Sequence, residues 1–454
     1  MTKNKKITVS FISLGCPKNL VDSETMIGLL QSENFIINPP DVKSDVSIIN
    51  TCAFVEDAKK ESINTILEIA QKKKKGGCRL LVVTGCLSQR YITDLPQLLP
   101  EVDLFVGTGE YHRLPLLIRE KLDGQKATSF VKIPRYIQTC KTPRTQTTPF
   151  YTRYIKIAEG CSHRCSFCII PTIRGRLRSR TPADIYKEVL RGVQNGVREF
   201  NLIAQDLNEY GRDLKARSSL YKLLDALARI DGDFWIRPLY MYPLQFPDKL
   251  VRLIADQPRI AKYVDIPLQH ISDTMLKRMN RGSASRYIYR LIDQLKTHVP
   301  DITLRTTFLV GHPGETKEDF NELKSFIKQT EFNHVGIFKY SNEEGTDSFL
   351  LKDHVPKKTA EARYHELMSI QQKISLKKNK ALVGKQLKTL LEGPSRETEL
   401  LLQGRCEGQA PDIDGVILIR DGTAPVGTFC QVKIVEAYEY DLLGEIQGFV
   451  GKFF

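Results

Sequence analysis

Along the first 140 residues, short apolar runs alternate with stretches whose apolar positions recur every three or four residues. Runs at 7–13, 46–50, 80–84 and 104–106 fit buried strands, and stretches near 20–31, 55–72, 88–98 and 112–121 fit amphipathic helices. Strand then helix, repeated, predicts a parallel sheet with helices on its faces. Residues 123–150, with Pro, Thr, Gln and Lys, break the rhythm and read as a linker. It resumes over 151–380, with strands near 154–158, 199–203, 235–240, 263–266, 303–310 and 334–339, and helices that include 182–194, 285–297 and 316–329. Six such units predict an open or partial barrel rather than a closed eightfold one, and a long polar helix near 359–380 closes the region. From 387 to 454 short alternations such as 415–419 and 431–435 lie between Gly, Pro and Asp turns, which predicts a small antiparallel β-barrel. The expected fold class is therefore α/β, in units 1–140, 141–386 and 387–454.

Composition narrows the class. With 454 residues, 41% hydrophobic and 26% charged, the chain can bury real cores and is neither disordered nor a disulfide scaffold. No apolar run approaches the ~18 residues of a membrane span. The basic start at 1–6, followed by 7–14 and Gly15-Cys16, superficially resembles a lipoprotein leader. Thr8, Ser10 and Ser13 make it an alternating strand instead, and the chain is expected to be cytoplasmic. Ten cysteines in that compartment stay reduced and serve metal or catalysis before disulfides.

The net charge of +14 is uneven: six Lys and Arg face eleven Asp and Glu in 387–454, a net of −5, which leaves +19 on the rest. A basic excess invites nucleic acid or a ribosomal surface. An acidic terminal barrel suits a basic protein better than phosphates. The runs 72–75 and 174–180 read as solvated surface, the second alternatively as a face for a substrate carboxylate. They also feed a different reading, a non-catalytic metal-containing RNA-binding protein.

Cys161-Ser-His-Arg-Cys165-Ser-Phe-Cys168 follows directly on the first strand of the second region. Cubane iron–sulfur clusters usually take four cysteines, so three in one loop leave an iron open to a small molecule. A zinc site completed by His163 is the alternative. Cys16, Cys52 and Cys86 form a second set. Each falls within a few residues of the end of one of three successive strands, and parallel strands place their C-terminal ends on one edge, where ligands bind. Gly15, Thr51 and Gly85 beside them would let a bulky group approach the backbone. Three buried core cysteines are the plainer account. Cys78, Cys140, Cys406 and Cys430 share no register with either set and receive no role.

The Cys-x3-Cys-x2-Cys loop on a partial barrel resembles the radical S-adenosylmethionine enzymes. The whole order of units resembles their methylthiotransferase family, whose terminal barrel is the TRAM domain. The resemblance implies two 4Fe–4S clusters, one on Cys161, Cys165 and Cys168 that binds S-adenosylmethionine, and an auxiliary one on Cys16, Cys52 and Cys86. It implies two S-adenosylmethionine molecules per turnover, one as methyl donor and one as radical source, together with an electron donor and a sulfur source. Phe167 matches a position that lies against adenine. Arg237, Gln269, His270 and Arg305, with the turn Gly311-His-Pro-Gly-Glu315, are weaker candidates for the cofactor region; Arg237 could equally be a structural ion pair.

Two branches of the family differ in substrate. Ser13-Leu-Gly-Cys16-Pro-Lys-Asn-Leu-Val-Asp-Ser-Glu24 is similar to the branch that modifies the β-carbon of an aspartate in small-subunit ribosomal protein twelve. The branch that modifies transfer-RNA adenosine typically reads Gly-Cys-Gln-Met-Asn there. Glu159-Gly-Cys161, Cys168-Ile-Ile-Pro171, Arg174-Gly175, Asp265-Ile-Pro-Leu-Gln-His270 and Gln205-Asp206 also match, whereas Leu207-Asn208 departs from the hydroxyl-rich pair usual after the last. The expected acceptor is a protein aspartate, with nucleic acid not the primary substrate and no membrane involved.

Overall fold

The computed structural model describes residues 6–282 and 284–449; most of the leader-like start, 1–5, lies outside the described residues. The N-terminal unit contains β1 (Thr8–Ser13), α1 (Pro17–Ser32), β2 (Ile36–Asn38), β3 (Val46–Thr51), α2 (Glu56–Lys74), β4 (Leu80–Gly85), α3 (Cys86–Arg90), α4 (Leu95–Leu98), β5 (Leu104–Val106), α5 (Leu114–Leu122) and β6 (Ser129–Phe130). Its sheet has the order β2-β1-β3-β4-β5-β6, all parallel. Every residue of β3 and β4 is buried, as a strand covered on both faces requires. One face packs against α1 and α5 through Val9, Ile48, Val82, Met26, Leu30 and Ile118. The other packs against α2 and α3, and takes in Ile169 and Ile173 from the next unit. Each such fully buried aliphatic side chain contributes roughly 1.5–3 kcal/mol. The expected linker is only partly one, because residues 129–130 add β6 to the sheet.

The central unit follows as β7 (Thr152–Lys156), β8 (Ala158–Glu159), α6 (Ile170–Arg174), β9 (Arg178–Ser179), α7 (Pro182–Gln194), β10 (Glu199–Ile203), α8 (Leu220–Ala228), β11 (Trp235–Pro238), α9 (Asp248–Asp256), β12 (Tyr263–Gln269), α10 (Asp273–Arg278), α11 (Ser285–His298), β13 (Thr303–Val310), α12 (Lys317–Thr330), β14 (His334–Lys339) and α13 (Lys357–Lys380). Strands β7, β10 and β11 form one parallel sheet, and β12, β13 and β14 another. An Ile236–Ile260 bridge approaches the join, so the six expected strands make an open barrel. Sequence caps fix its helices: Thr181 accepts from the Asp184 amide at α7, and Thr316 and Asp319 form a capping box at α12.

The terminal unit, β15 (Gln386–Pro394), β16 (Leu402–Cys406), β17 (Ile417–Asp421), β18 (Phe429–Ala437) and β19 (Leu442–Phe449), is a closed barrel of order β15-β16-β17-β19-β18. It is antiparallel except for the β17–β19 pair, which runs parallel, a departure from the wholly antiparallel expectation. This barrel sits at the N-terminal ends of the central strands. Trp235 lies 4.5 Å from Phe429, and the Tyr263 hydroxyl donates to Asp414 at 2.7 Å. Arg405 reaches across to Glu199 at 2.7 Å.

Candidate functional site

The N-terminal triad is built by strand ends. Leu14 still donates to the Asn50 carbonyl at 2.9 Å; Gly15 then turns at φ +91° and Cys16 precedes α1. Cys52 follows β3, and Cys86 opens α3 after Gly85 at φ +95°. A Cβ on Gly15 would lie 2.9 Å from the Cys52 Cβ and 3.2 Å from its Sγ, so a side chain there would intrude on the thiol. Asn19 is fully buried and ties the ends together, donating to the carbonyls of Leu14 at 3.1 Å and Thr51 at 2.9 Å while its Oδ1 faces the Cys86 thiol at 3.6 Å. Burial pushes the Cys86 thiol up to about 12, and the charges of Cys52 and Cys16 push the same way. Cys52 is likewise raised by burial and by Cys16. The three thiols therefore act on one another at one sheet edge.

The second triad lies in the loop after β7 and β8. Gly160, at φ +72°, leads to Cys161, whose amide donates to the Gly175 carbonyl at 3.0 Å; the Cys168 amide donates to the Cys165 carbonyl at 3.0 Å. Burial raises Cys161 to about 11 and Cys168 to about 12, with Cys165 adding to both. Arg281 places Nη1 3.5 Å from the Cys165 Sγ, and its guanidinium lies 4.0 Å over the Tyr242 ring. The His163 ring stacks on Tyr242 at 4.0 Å, with Nε2 held by Asp206 at 2.6 Å.

Arg174 connects the two sites. It ends α6, directly after the second triad, and is 2% exposed. It pairs with Asp22 of α1 at 2.5 Å, donates to the Asn19 Oδ1, and sets Nη2 3.5 Å from the Cys86 Sγ. The arginine run 174–180 is thus not solvated surface at its ends: Arg180, also buried, pairs with Asp184 and Glu188 at 2.7 Å each. The lysines at 72–75 do close α2 at the surface, against Glu68, Asp103 and Glu101.

The weaker candidates separate. Phe167 packs beside Met275, Met279, Leu309 and Tyr340. Gln269 ends β12 in the left-handed region at φ +72°, and its side-chain amide makes no hydrogen bond among the described residues. Arg237 takes the structural alternative: it is fully buried, paired with Glu199 at 3.0 Å and donating to the Glu407 carbonyl at 2.6 Å, so its guanidinium joins the two barrels. His270 is fully buried; its Nδ1 accepts from the Ser272 amide at 3.0 Å, and its Nε2, without a hydrogen-bond partner among the described residues, lies 3.7 Å from Glu315. Arg305 is held between Asp265 at 2.9 Å and Asp414 at 3.6 Å, its charge already matched. The 311–315 turn forms a buried knot in which Glu315 takes the Gly311 amide and Arg363.

Sequence reasoning gave no role to Lys18. It is 8% exposed, and its ammonium lies 3.1 Å over the Tyr240 ring. Burial lowers its pKa to about 8 against the opposing pulls of Cys16 and Asp265. Tyr240 and Tyr242 leave β11 two residues apart, one against Lys18 and the other beside Cys165.

Both triads suit the clusters that the sequence suggests. One gathers three thiols at strand ends and the other in a single loop, and each has a guanidinium at a sulfur, where thiolate charge would otherwise be uncompensated in a buried setting.

Comparison with known proteins matches residues 8–107 to the uncharacterized protein family UPF0004, 155–327 to the radical SAM superfamily and 383–446 to the TRAM domain. A ribosomal protein uS12 methylthiotransferase RimO of Geotalea uraniireducens is 48% identical over 446 residues, covering 98% of this chain and 100% of that one. The protein of the same name from Myxococcus xanthus is 47% identical over 435 residues, with 96% and 90% covered. Among solved structures, the radical S-adenosylmethionine methyltransferase TsrM from Kitasatospora setae, with cobalamin and a [4Fe-4S] cluster bound, matches with a TM-score of 0.55 at 15% identity, over 74% of this chain and 75% of that one; the likeness is one of fold.

Proposed function

Since the chain belongs to the RimO family of ribosomal protein uS12 methylthiotransferases, radical S-adenosylmethionine enzymes, we propose that it inserts a methylthio group at the β-carbon of an aspartate of uS12. The observation that carries this reading is the pairing of two cysteine triads across one domain junction, with Arg174 running from the loop of one to a thiol of the other. We assign Cys161, Cys165 and Cys168 to the 4Fe–4S cluster that binds S-adenosylmethionine, and Cys16, Cys52 and Cys86 to the auxiliary one. With S-adenosylmethionine, the bound clusters supply the carbon-centred radical and the sulfur that is transferred.

The chain's own residues position and insulate. Arg281 and Arg174 offset negative charge at Cys165 and Cys86. Phe167 gives an apolar wall beside Met275 and Met279, and Gln269 offers a free side-chain amide at a strand end, where barrel sites form. Residues 1–140 would carry the auxiliary site, 141–386 the radical site and 387–454 the docking barrel, whose exposed Glu397, Glu399, Asp421 and Glu436 suit a basic ribosomal protein. An electron donor and a sulfur source complete its partners. Its work is placed in the cytoplasm, in keeping with ten free cysteines; among the described residues no helix is long and apolar enough to cross a membrane.

Mass spectrometry of uS12, incubated with and without the reconstituted protein, tests the proposal. The expected result is the mass of one methylthio group on a single aspartate. Unmodified uS12 together with methylthiolated transfer RNA would overturn it.

A further inference from the structure

Lys18 is a largely buried side chain whose ammonium has no hydrogen-bond or ion-pair partner among the described residues. It is 8% exposed, and its ammonium lies 3.1 Å over the face of Tyr240. Other buried cations of the region are matched: Lys156 pairs with Asp22 and Glu159, and Arg174 with Asp22. Burying an unpaired charge is costly, and proteins ordinarily supply a counter-charge. Asp265, a carboxylate whose charge reaches Lys18, is committed elsewhere, accepting from the Tyr240 amide at 3.0 Å and pairing with Arg305 at 2.9 Å.

Its surroundings are those of a reaction chamber. Lys18 stands two residues from Cys16, on the first turn of α1. Tyr240 occupies the left-handed region at φ +65°, a conformation that costs a non-glycine residue energy and is kept where the surroundings impose it. Two residues on, Tyr242 lies beside Arg281, the donor to Cys165. A group held at Lys18 would therefore lie at the central strands' C-terminal ends, between the two triads.

We propose that Lys18, seated on Tyr240, is the anchor for the side-chain carboxylate of the acceptor aspartate, supplying the anion this ammonium lacks. The inference rests on the function proposed above and adds the residue that selects the acceptor. The chemistry fits the reaction. The carboxylate is bonded directly to the β-carbon, so fixing it fixes the hydrogens of the carbon to be modified. It also offsets the repulsion between a carboxylate and anionic thiolate sites.

The test measures the affinity of the reconstituted holoenzyme for uS12 and for uS12 whose acceptor aspartate, located by its mass shift, is changed to asparagine. Charge-assisted pairing predicts about 10- to 100-fold tighter binding of the aspartate form. Lys18→Met, of similar length but uncharged, should bind both forms alike, at the level of unaltered enzyme with the asparagine form. Lys18→Arg should restore part of the preference. Persistence of the preference in Lys18→Met, or an equal loss for both forms, would overturn the assignment. Should Lys18→Met not fold, the unaltered enzyme decides alone, since equal affinity for the two forms refutes the anchor. Failure of the unaltered enzyme to bind or modify uS12 would strike the proposed function instead.

Discussion

Glu199 is the charge on which the two barrels meet, and Glu199→Gln removes that charge while keeping the volume. The carboxylate is fully buried and receives Arg237 at 3.0 Å and Arg405 at 2.7 Å. Burial alone would raise its pKa, but the guanidiniums of Arg405 and Arg237 outweigh it and hold the group at about 2, below the ordinary 4.5. That difference corresponds to about 3 kcal/mol of stability. Breaking a buried ion pair typically costs about 3–5 kcal/mol, so two routes give the same size. Because the folded pKa is depressed, the contribution is complete above about pH 4.5 and is lost as pH falls toward about 2. Trp235, the single tryptophan, lies 4.5 Å from Phe429 at this junction, so its fluorescence follows the junction through urea denaturation of the apoprotein. The variant should be about 3 kcal/mol less stable at neutral pH, and the gap should narrow by about 1.4 kcal/mol per pH unit below about pH 4.5. A gap under about 1 kcal/mol, or one that stays constant with falling pH, would refute a paired carboxylate at the junction.

Replacing Cys161, Cys165 and Cys168 by Ala should leave about four irons per chain and abolish S-adenosylmethionine cleavage; replacing Cys16, Cys52 and Cys86 should also leave about four irons but retain some cleavage, and iron analysis with a cleavage assay checks both. Arg174→Met leaves Asp22 with Lys156 alone and should cost about 3–5 kcal/mol in chemical denaturation, with iron lost first from the N-terminal triad. Reversing the exposed Glu397, Glu399, Asp421 and Glu436 to Lys should weaken capture of uS12 in pull-down, and should flatten its dependence on salt, since exposed charges are screened beyond about 10 Å at roughly 0.1 M.

What periodicity can express, it expressed well. The six central strands lie where apolar runs mark them, and Cys16, Cys52 and Cys86 converge because parallel strands end on one edge. The misses share a cause: they depend on contacts between distant segments. Strands β6, β8 and β9 are two residues each, too short for any alternation to register. Arg174 and Arg180 look like surface residues in the sequence, and only Asp22, Asp184 and Glu188 bring them inside. Arg237 sits inside a barrel strand as a ligand would, but the terminal barrel claims its guanidinium. Lys18 stood within a recognised signature without a role, because its isolation emerges only once every nearby carboxylate is matched. The acidic total of residues 387–454 overstates the free charge there, since Glu392 and Asp414 are drawn into the junction.

Helix α1 belongs to the N-terminal unit by connectivity, yet its buried charges are matched largely from elsewhere. Asp22 answers to Lys156 and Arg174, and Glu24 to Arg144 and the Thr147 amide. The N-terminal sheet is consequently not an interchangeable cassette. Grafted onto another radical-enzyme barrel, it would bring two carboxylates into an interior with no cations to receive them. A successful hybrid would have to carry Arg144, Lys156 and Arg174 along with α1, so recombination between such enzymes is constrained by a shared set of ion pairs that crosses the domain boundary.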